Sequence, residues 1–220
     1  MRKVYFNILT KGQARVFPKL GFVKEKGFYL AGGTGLALQL GHRTSVDFDF
    51  YSQSHFDAPQ FYQEIEKEFG RHAEKIAEEK DTLFCSICGV DASFFWYKYP
   101  LIRRVKTISG ISVASLADIA AMKLIAISHR PVKRDYIDIF FLLQVFSLEE
   151  MFSFIKKKYP NFNPYFSMRA LGFFEDIEDI KERSERPIKV FDKDFSWEKA
   201  KRKIFEEVRR YQLGMIKTLS

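Results

Sequence analysis

The sequence predicts an α+β chain, with a mixed sheet flanked by helices over residues 1–110 and a helical half over 111–220. Three observations carry that reading. Val46, Phe48 and Phe50 are apolar at period 2 around Asp47 and Asp49, the signature of a strand buried on one face. Two further strand-like runs, 82–88 and 90–96, follow in the same half. From Ser115 onward the period changes, and runs such as LADIAAMKLIAIS read as buried helix.

Residues 10–25 are amphipathic enough for a first helix, with Pro18 in its interior as the obstacle. Phe28 to Ala31 reads as the first strand. Gly32-Gly33-Thr34 is then a small-residue turn, and Thr34 to Leu40 a short buried helix stopped by Gly41. His42 to Ser45 connects to the aspartate strand. In 58–70, Phe61, Ile65 and Phe69 recur at spacing four, a helical stripe ended by Gly70. After a charged segment, 82–96 reads as a hairpin about Gly89 or as one long strand, with Asp91 and Ser93 on one face and Val90, Ala92 and Phe94 on the other. Ser115 and Asp118 have the spacing of a capping box opening the apolar helix. Pro131 separates it from a helix over 134–146, and a Pro/Asn-rich break at 160–164 interrupts the helical tail. The last helix, 197–213, is expected to turn Trp197, Ile204, Val208 and Tyr211 inward and Lys201, Arg202, Arg209 and Arg210 outward.

At 220 residues the chain can bury a sizeable core, and a 46% hydrophobic content excludes a disordered protein. A net charge of +8 favours an anionic partner. No run approaches the ~20 apolar residues of a membrane span, and the N-terminus shows no signal-peptide h-region. A cytoplasmic protein is the expectation. Cys85 and Cys88 form a lone CxxC without a second ligand pair, so both are read as small apolar residues rather than a zinc or redox site.

The chemistry-bearing residues fall into two groups. Asp47 and Asp49 project from the same strand face roughly 7 Å apart, at about 3.3 Å per residue. Paired carboxylates repel, and a divalent cation relieves that repulsion. The glycine-rich turn just upstream can approach phosphates, although it is neither a P-loop nor G-x-G-x-x-G. Asp91 is a third strand carboxylate in the same half. In the helical half, Lys123 sits within a nearly all-apolar helix and Asp138 within YIDIFFLL. Each needs a partner or a cleft.

The pattern GGT-x₇-GHR-x-S-x-D-x-D-F resembles the nucleotidyltransferase superfamily of DNA polymerase beta and the CCA-adding enzymes. More closely, it is similar to the AbiEii/AbiGii toxins of type IV toxin–antitoxin, or abortive-infection, systems. Lys123 in AAMKLIAISHR and the Arg134-Asp135-Tyr136-Ile137-Asp138 run match that family's downstream motifs, and the resemblance covers about residues 28–145. It implies a nucleotidyltransferase-like sheet, with the active site in a cleft between the halves. Asp47 and Asp49 would hold Mg2+, with a third ligand at Asp91 or its place taken by Ser93. Gly32, Gly33, Thr34, Arg43 and Ser45 would contact the nucleotide, Lys123 its phosphates, and Asp138 would orient Lys123 or assist the acceptor. A nucleoside triphosphate donor, a tRNA, other RNA or protein acceptor, and a cognate antitoxin or DNA-binding regulator are the implied partners. A non-catalytic nucleotide-binding or protein-interaction module that kept the fold is the alternative.

Overall fold

The computed structural model describes residues 3–174, 177 and 188–219. The chain forms two compact units, Met1–Ser115 and Leu116–Ser220.

The first unit is built on a seven-stranded mixed sheet of order β3-β4-β5-β2-β1-β7-β6. Its strands are β1 (Tyr29–Leu30), β2 (Phe48–Ser52), β3 (Ala73–Glu79), β4 (Thr82–Ile87), β5 (Val90–Trp96), β6 (Lys106–Ile108) and β7 (Ile111–Val113). β2 runs parallel to β5 and β1 parallel to β7, while the remaining neighbours are antiparallel. Alternation assigns the two sheet faces opposite chemistry. Phe48, Phe50, Leu83, Cys85, Ala92 and Phe94 are all buried. Phe50 stacks on Phe94 at 5.0 Å, and Phe61 of α3 (Ala58–Phe69) meets Phe94 and Phe28 at 4.9 Å each. Aromatic pairs at such separations add to their area of burial, so this cluster fixes α3 against the sheet. The other face carries Asp49, Tyr51, Asp91, Ser93 and Phe95, all half-exposed.

Several local expectations change. The helix over 10–25 is α-helical only as α1 (Lys11–Val16), opened by a Thr10–Gln13 capping box. With Pro18 in its first turn, Phe17–Lys24 continues as a 3₁₀ helix. The Gly32-Gly33-Thr34 stretch is the first turn of α2 (Gly32–Leu40) rather than a loop before it, and Gly41 ends that helix at φ +67°. The charged segment after α3 contains β3, and 82–96 is a hairpin. Cys88 sits exposed in its turn at φ +51°, not in the core. Cys85 is buried, and desolvation pushes its thiol up to about 12. β6 and β7 add a short hairpin that the sequence pattern did not suggest. At the β3–β4 turn, buried Asp81 accepts from His55 Nδ1 at 2.7 Å and from the Phe56 amide at 2.9 Å. The His55 bond is the main reason its carboxyl lies below the usual aspartate value.

In the second unit, α4 (Leu116–His129) packs against α5 (Lys133–Leu142), α6 (Leu148–Lys158) and α7 (Tyr165–Leu171). α8 (Trp197–Leu219) contacts α5, α6 and α7. It buries Ala200, Ile204, Glu207 and Val208, while Trp197 and Tyr211 are half-buried and Arg202, Arg209 and Arg210 exposed. Asp118 pairs with Lys158 at 3.0 Å, both side chains fully buried. Desolvation outweighs that partner and pulls the Lys158 ammonium below the ordinary lysine value. Among the described residues no helix is long and apolar enough to cross a membrane.

Candidate functional site

In the first unit the candidate residues gather where α2 begins. The Ala31 amide donates to the Asp49 carbonyl at 2.9 Å, tying the start of α2 to β2. A Cβ added to Gly32, at φ +59°, would lie 2.3 Å from Asp49 Oδ2. One at Gly33 would lie 2.7 Å from both Arg43 Nη2 and Ser45 Oγ. The two glycines therefore leave the space that the Asp49 carboxylate, the Arg43 guanidinium and the Ser45 hydroxyl occupy. Arg43 and Ser45 are 3% and 6% exposed, so a charged guanidinium is held almost out of solvent beside a helix N-terminus. Both features favour an anion. Arg43 Nη1 donates to the Thr44 carbonyl at 2.8 Å, which fixes its side chain. Thr34 is buried and its hydroxyl donates to the Asp47 carbonyl, so it holds the backbone entering β2.

Gly32→Ala tests that crowding. At positive φ a side chain costs about 1–2 kcal/mol, and here the Cβ also has to displace the Asp49 carboxylate. The expected outcome is a loss of at least that size in chemical denaturation.

Register shows which residue of β5 lies beside Asp49. Asp49 is directly paired with Ser93, and Phe48 with Ala92. On β5, Asp91 lies two residues before Ser93 and so on the same face, while Asp47 is a bend residue just ahead of β2, outside the paired ladder and not, as the alternation predicted, on the strand with Asp49. Asp91 thus shares the open face but not the position beside Asp49, which Ser93 holds. Among the described residues no three His, Cys, Asp or Glu side chains come close enough together to hold a metal ion. The structure does not gather Asp47, Asp49 and Asp91 into such a group.

In the second unit, Lys123 of α4 points its ammonium at α5. Nζ lies 2.6 Å from Asp138 Oδ2 and 2.6 Å from Asp135 Oδ1, with all three side chains at most 9% exposed. Asp138 was singled out in the sequence, but Asp135 was not assigned a role. The available signal was spacing, because residues three apart lie on one helix face. Buried ion pairs survive only with good geometry and further hydrogen bonds. Here two carboxylates clamp one ammonium and fix its direction.

The Aquifex aeolicus (strain VF5) protein aq_aa25, itself described as uncharacterized, is 37% identical over 158 residues, covering 69% of this chain and 76% of the relative. A crystal structure of an H. pylori protein described as a candidate nucleotidyltransferase superposes with a TM-score of 0.58 at 15% identity, covering 92% of this chain and 94% of that one. JHP933 from Helicobacter pylori superposes at 0.56 with 14% identity, covering 96% and 99%. These two likenesses show a shared fold. The family described as "Nucleotidyl transferase AbiEii toxin, Type IV TA system" matches residues 22–99 and 97–212.

Proposed function

Because the chain belongs to the AbiEii family of nucleotidyltransferase toxins of type IV toxin–antitoxin systems, we propose that it moves a nucleoside monophosphate from a nucleoside triphosphate to an RNA acceptor, tRNA included, with pyrophosphate leaving. The observation that carries this reading is the cluster of side chains packed on the two glycines at the start of α2. There Asp49, buried Arg43 and Ser45 converge on Gly32 and Gly33. Phosphoryl transfer asks a protein mainly for positioning and for charge around the phosphates, and this arrangement offers both signs of charge within one helical turn.

Asp47 and Asp49 would hold Mg2+. Their hard oxygen donors fit an ion that takes one or two carboxylates and completes its shell with water and substrate phosphate. The missing Cβ at Gly32 leaves the place that the Asp49 carboxylate fills, so that carboxylate can sit against the start of α2. When bound, the metal supplies charge neutralisation at the α-phosphate and the departing pyrophosphate. Asp91 is left outside this ligand set, because Ser93 holds the place beside Asp49. The Gly33 amide, Arg43 and Ser45 receive phosphate oxygens, and Thr34 keeps the Asp47 backbone in place. Within the second unit, Asp138 with Asp135 holds the Lys123 ammonium in one orientation, and the role proposed for that ammonium is as a cation for phosphate. A cognate antitoxin or a DNA-binding regulator is the partner that would fit the family's toxin role.

Incubating the full chain with each of four α-labelled nucleoside triphosphates, magnesium and total RNA tests the reading. Label in RNA with at least one nucleotide is expected, and no label in RNA or protein with any of them overturns it. Ser93 beside Asp49 also favours a second reading, a nucleotide-binding module without turnover. Calorimetric nucleotide binding that magnesium does not change, with no labelled product, would establish that module.

A further inference from the structure

The open face of the sheet carries more than carboxylates. Two residues beyond Asp49 on β2, Tyr51 is the second ring of a run Phe95–Tyr51–Tyr97–Tyr99. Tyr51 lies 5.4 Å from Phe95 and 5.2 Å from Tyr97, and Tyr97 lies 5.2 Å from Tyr99. Tyr29 supports the run from β1, stacked on Tyr51 at 6.1 Å and itself buried. Phe84 on β4 meets Phe95 edge-on at 5.5 Å. The backbone beneath is fixed, since the Tyr97 amide donates to the Ser52 carbonyl at 2.6 Å. Tyr51, Phe95, Tyr97 and Tyr99 are all half-exposed, against the near-complete burial of the phenylalanines on the opposite face.

Core packing does not explain this run, because its rings remain partly in water. The Tyr51–Tyr97 and Tyr97–Tyr99 pairs are edge-to-face, with planes at 65°. In that arrangement the edge of one ring meets one face of its neighbour, so a pair covers less ring face than a stacked column would. The chain next to the run is basic, with Lys98, Arg103 and Arg104 exposed, and Lys98 Nζ lies 5.5 Å from the Tyr99 ring centre. Aromatic rings interleaved with cations are what unpaired nucleic-acid bases and their phosphates require.

We infer that Tyr51, Phe95, Tyr97 and Tyr99, with Lys98, Arg103 and Arg104, form a stacking platform for a single-stranded stretch of the nucleic-acid acceptor. It leads that strand's end toward Asp49. The occupant is a strand rather than the donor's base because the rings run through three successive ring-to-ring steps of 5.2–5.4 Å, whereas one nucleotide offers one base. Lys98, Arg103 and Arg104, exposed and next to the run along the chain, supply the cations that the further phosphates of a strand need. This rests on the nucleotidyl-transfer reading only for calling the strand an acceptor.

The test is equilibrium binding of a short single-stranded RNA carrying 2-aminopurine to the full chain, without nucleoside triphosphate. Fluorescence quenching reports stacking. Tyr97→Leu and Tyr99→Leu are each expected to weaken binding by about 5- to 100-fold and to reduce the quenching. Tyr97→Phe and Tyr99→Phe should bind as the wild type does, because stacking needs the ring and not the hydroxyl. Combined Arg103→Gln and Arg104→Gln should flatten the salt dependence by about 0.7 per lost phosphate contact. Thermal melting of each variant checks that it is folded. Equal affinity for a fully paired duplex or for a mononucleotide, or unchanged binding by folded leucine variants, overturns the platform. Ring-dependent binding by a wild-type protein that labels no acceptor would sink the transfer reading and leave the platform standing. Transfer that is indifferent to the ring variants would do the reverse.

Discussion

An Asp49→Asn protein is expected to fold as the wild type does and to transfer nucleotide about a thousandfold more slowly, the rate equivalent of several kcal/mol of lost charge stabilisation. Asparagine keeps the shape of the side chain over Gly32 and removes only the charge, so the loss reads out chemistry rather than packing. The strand itself has little reason to suffer, since Asp49 is half-exposed on an open face and its buried neighbours Phe48 and Phe50 are untouched. Ser93→Asp is the informative companion. It would put a carboxylate directly beside Asp49 in the ladder, and a gain in magnesium affinity would show that this position governs the metal side of the site. Labelled-nucleotide transfer and thermal melting on the same preparations separate the effects. A wild-type transfer rate in the asparagine variant would remove Asp49 from the mechanism.

The second large effect concerns two buried lysines that look alike and are assigned different work. Lys123→Met leaves Asp135 and Asp138 buried without their ammonium, and Lys158→Met leaves Asp118 in the same condition. Each is expected to cost about 3–5 kcal/mol in denaturant unfolding. The lysines part company when the stranded charge is removed as well. Lys158→Met with Asp118→Leu replaces an ion pair by apolar groups, a change that is often neutral or stabilising, and transfer activity should return with the fold. Lys123→Met with Asp135→Asn and Asp138→Asn should recover much of the stability and none of the activity. Restored transfer in that triple variant would make the Lys123 cluster a structural pair like the other.

What could be read from the sequence was whatever imposed a period. β2, β4 and β5 alternate, α3 repeats at spacing four, and α4 is apolar nearly all round, so each announced its type and its buried face. β3 did not, because six of its seven residues face water and no apolar alternation marks it. β6 and β7 are three residues each, too short to show any period. The Gly32-Gly33-Thr34 turn proved helical because glycine's low helix propensity is a weak prior that tertiary contacts override. Its start is fixed by the Ala31–Asp49 backbone bond. Among the candidate residues, Asp47, Asp49, Lys123 and Asp138 stood out as charges in apolar surroundings. Asp135 and the Asp118–Lys158 pair did not, since their partners come from other helices and only packing brings them together. Lys158 in particular closes a run of three lysines, which reads as a solvated face until α6 turns it inward.

β3 leaves one further consequence. As an outermost strand it presents backbone donors and acceptors that could template another chain, yet it is lined by exposed Glu74, Lys75, Glu78 and Glu79 and its register slips between Lys75 and Ala77. Charge and irregularity of that kind are how natural sheets resist edge-to-edge growth. Ile76, 62% exposed, is the one bulky apolar side chain along it. A protein that binds this side of the sheet would therefore have to do so through side chains, because an eighth strand finds no clean ladder to join.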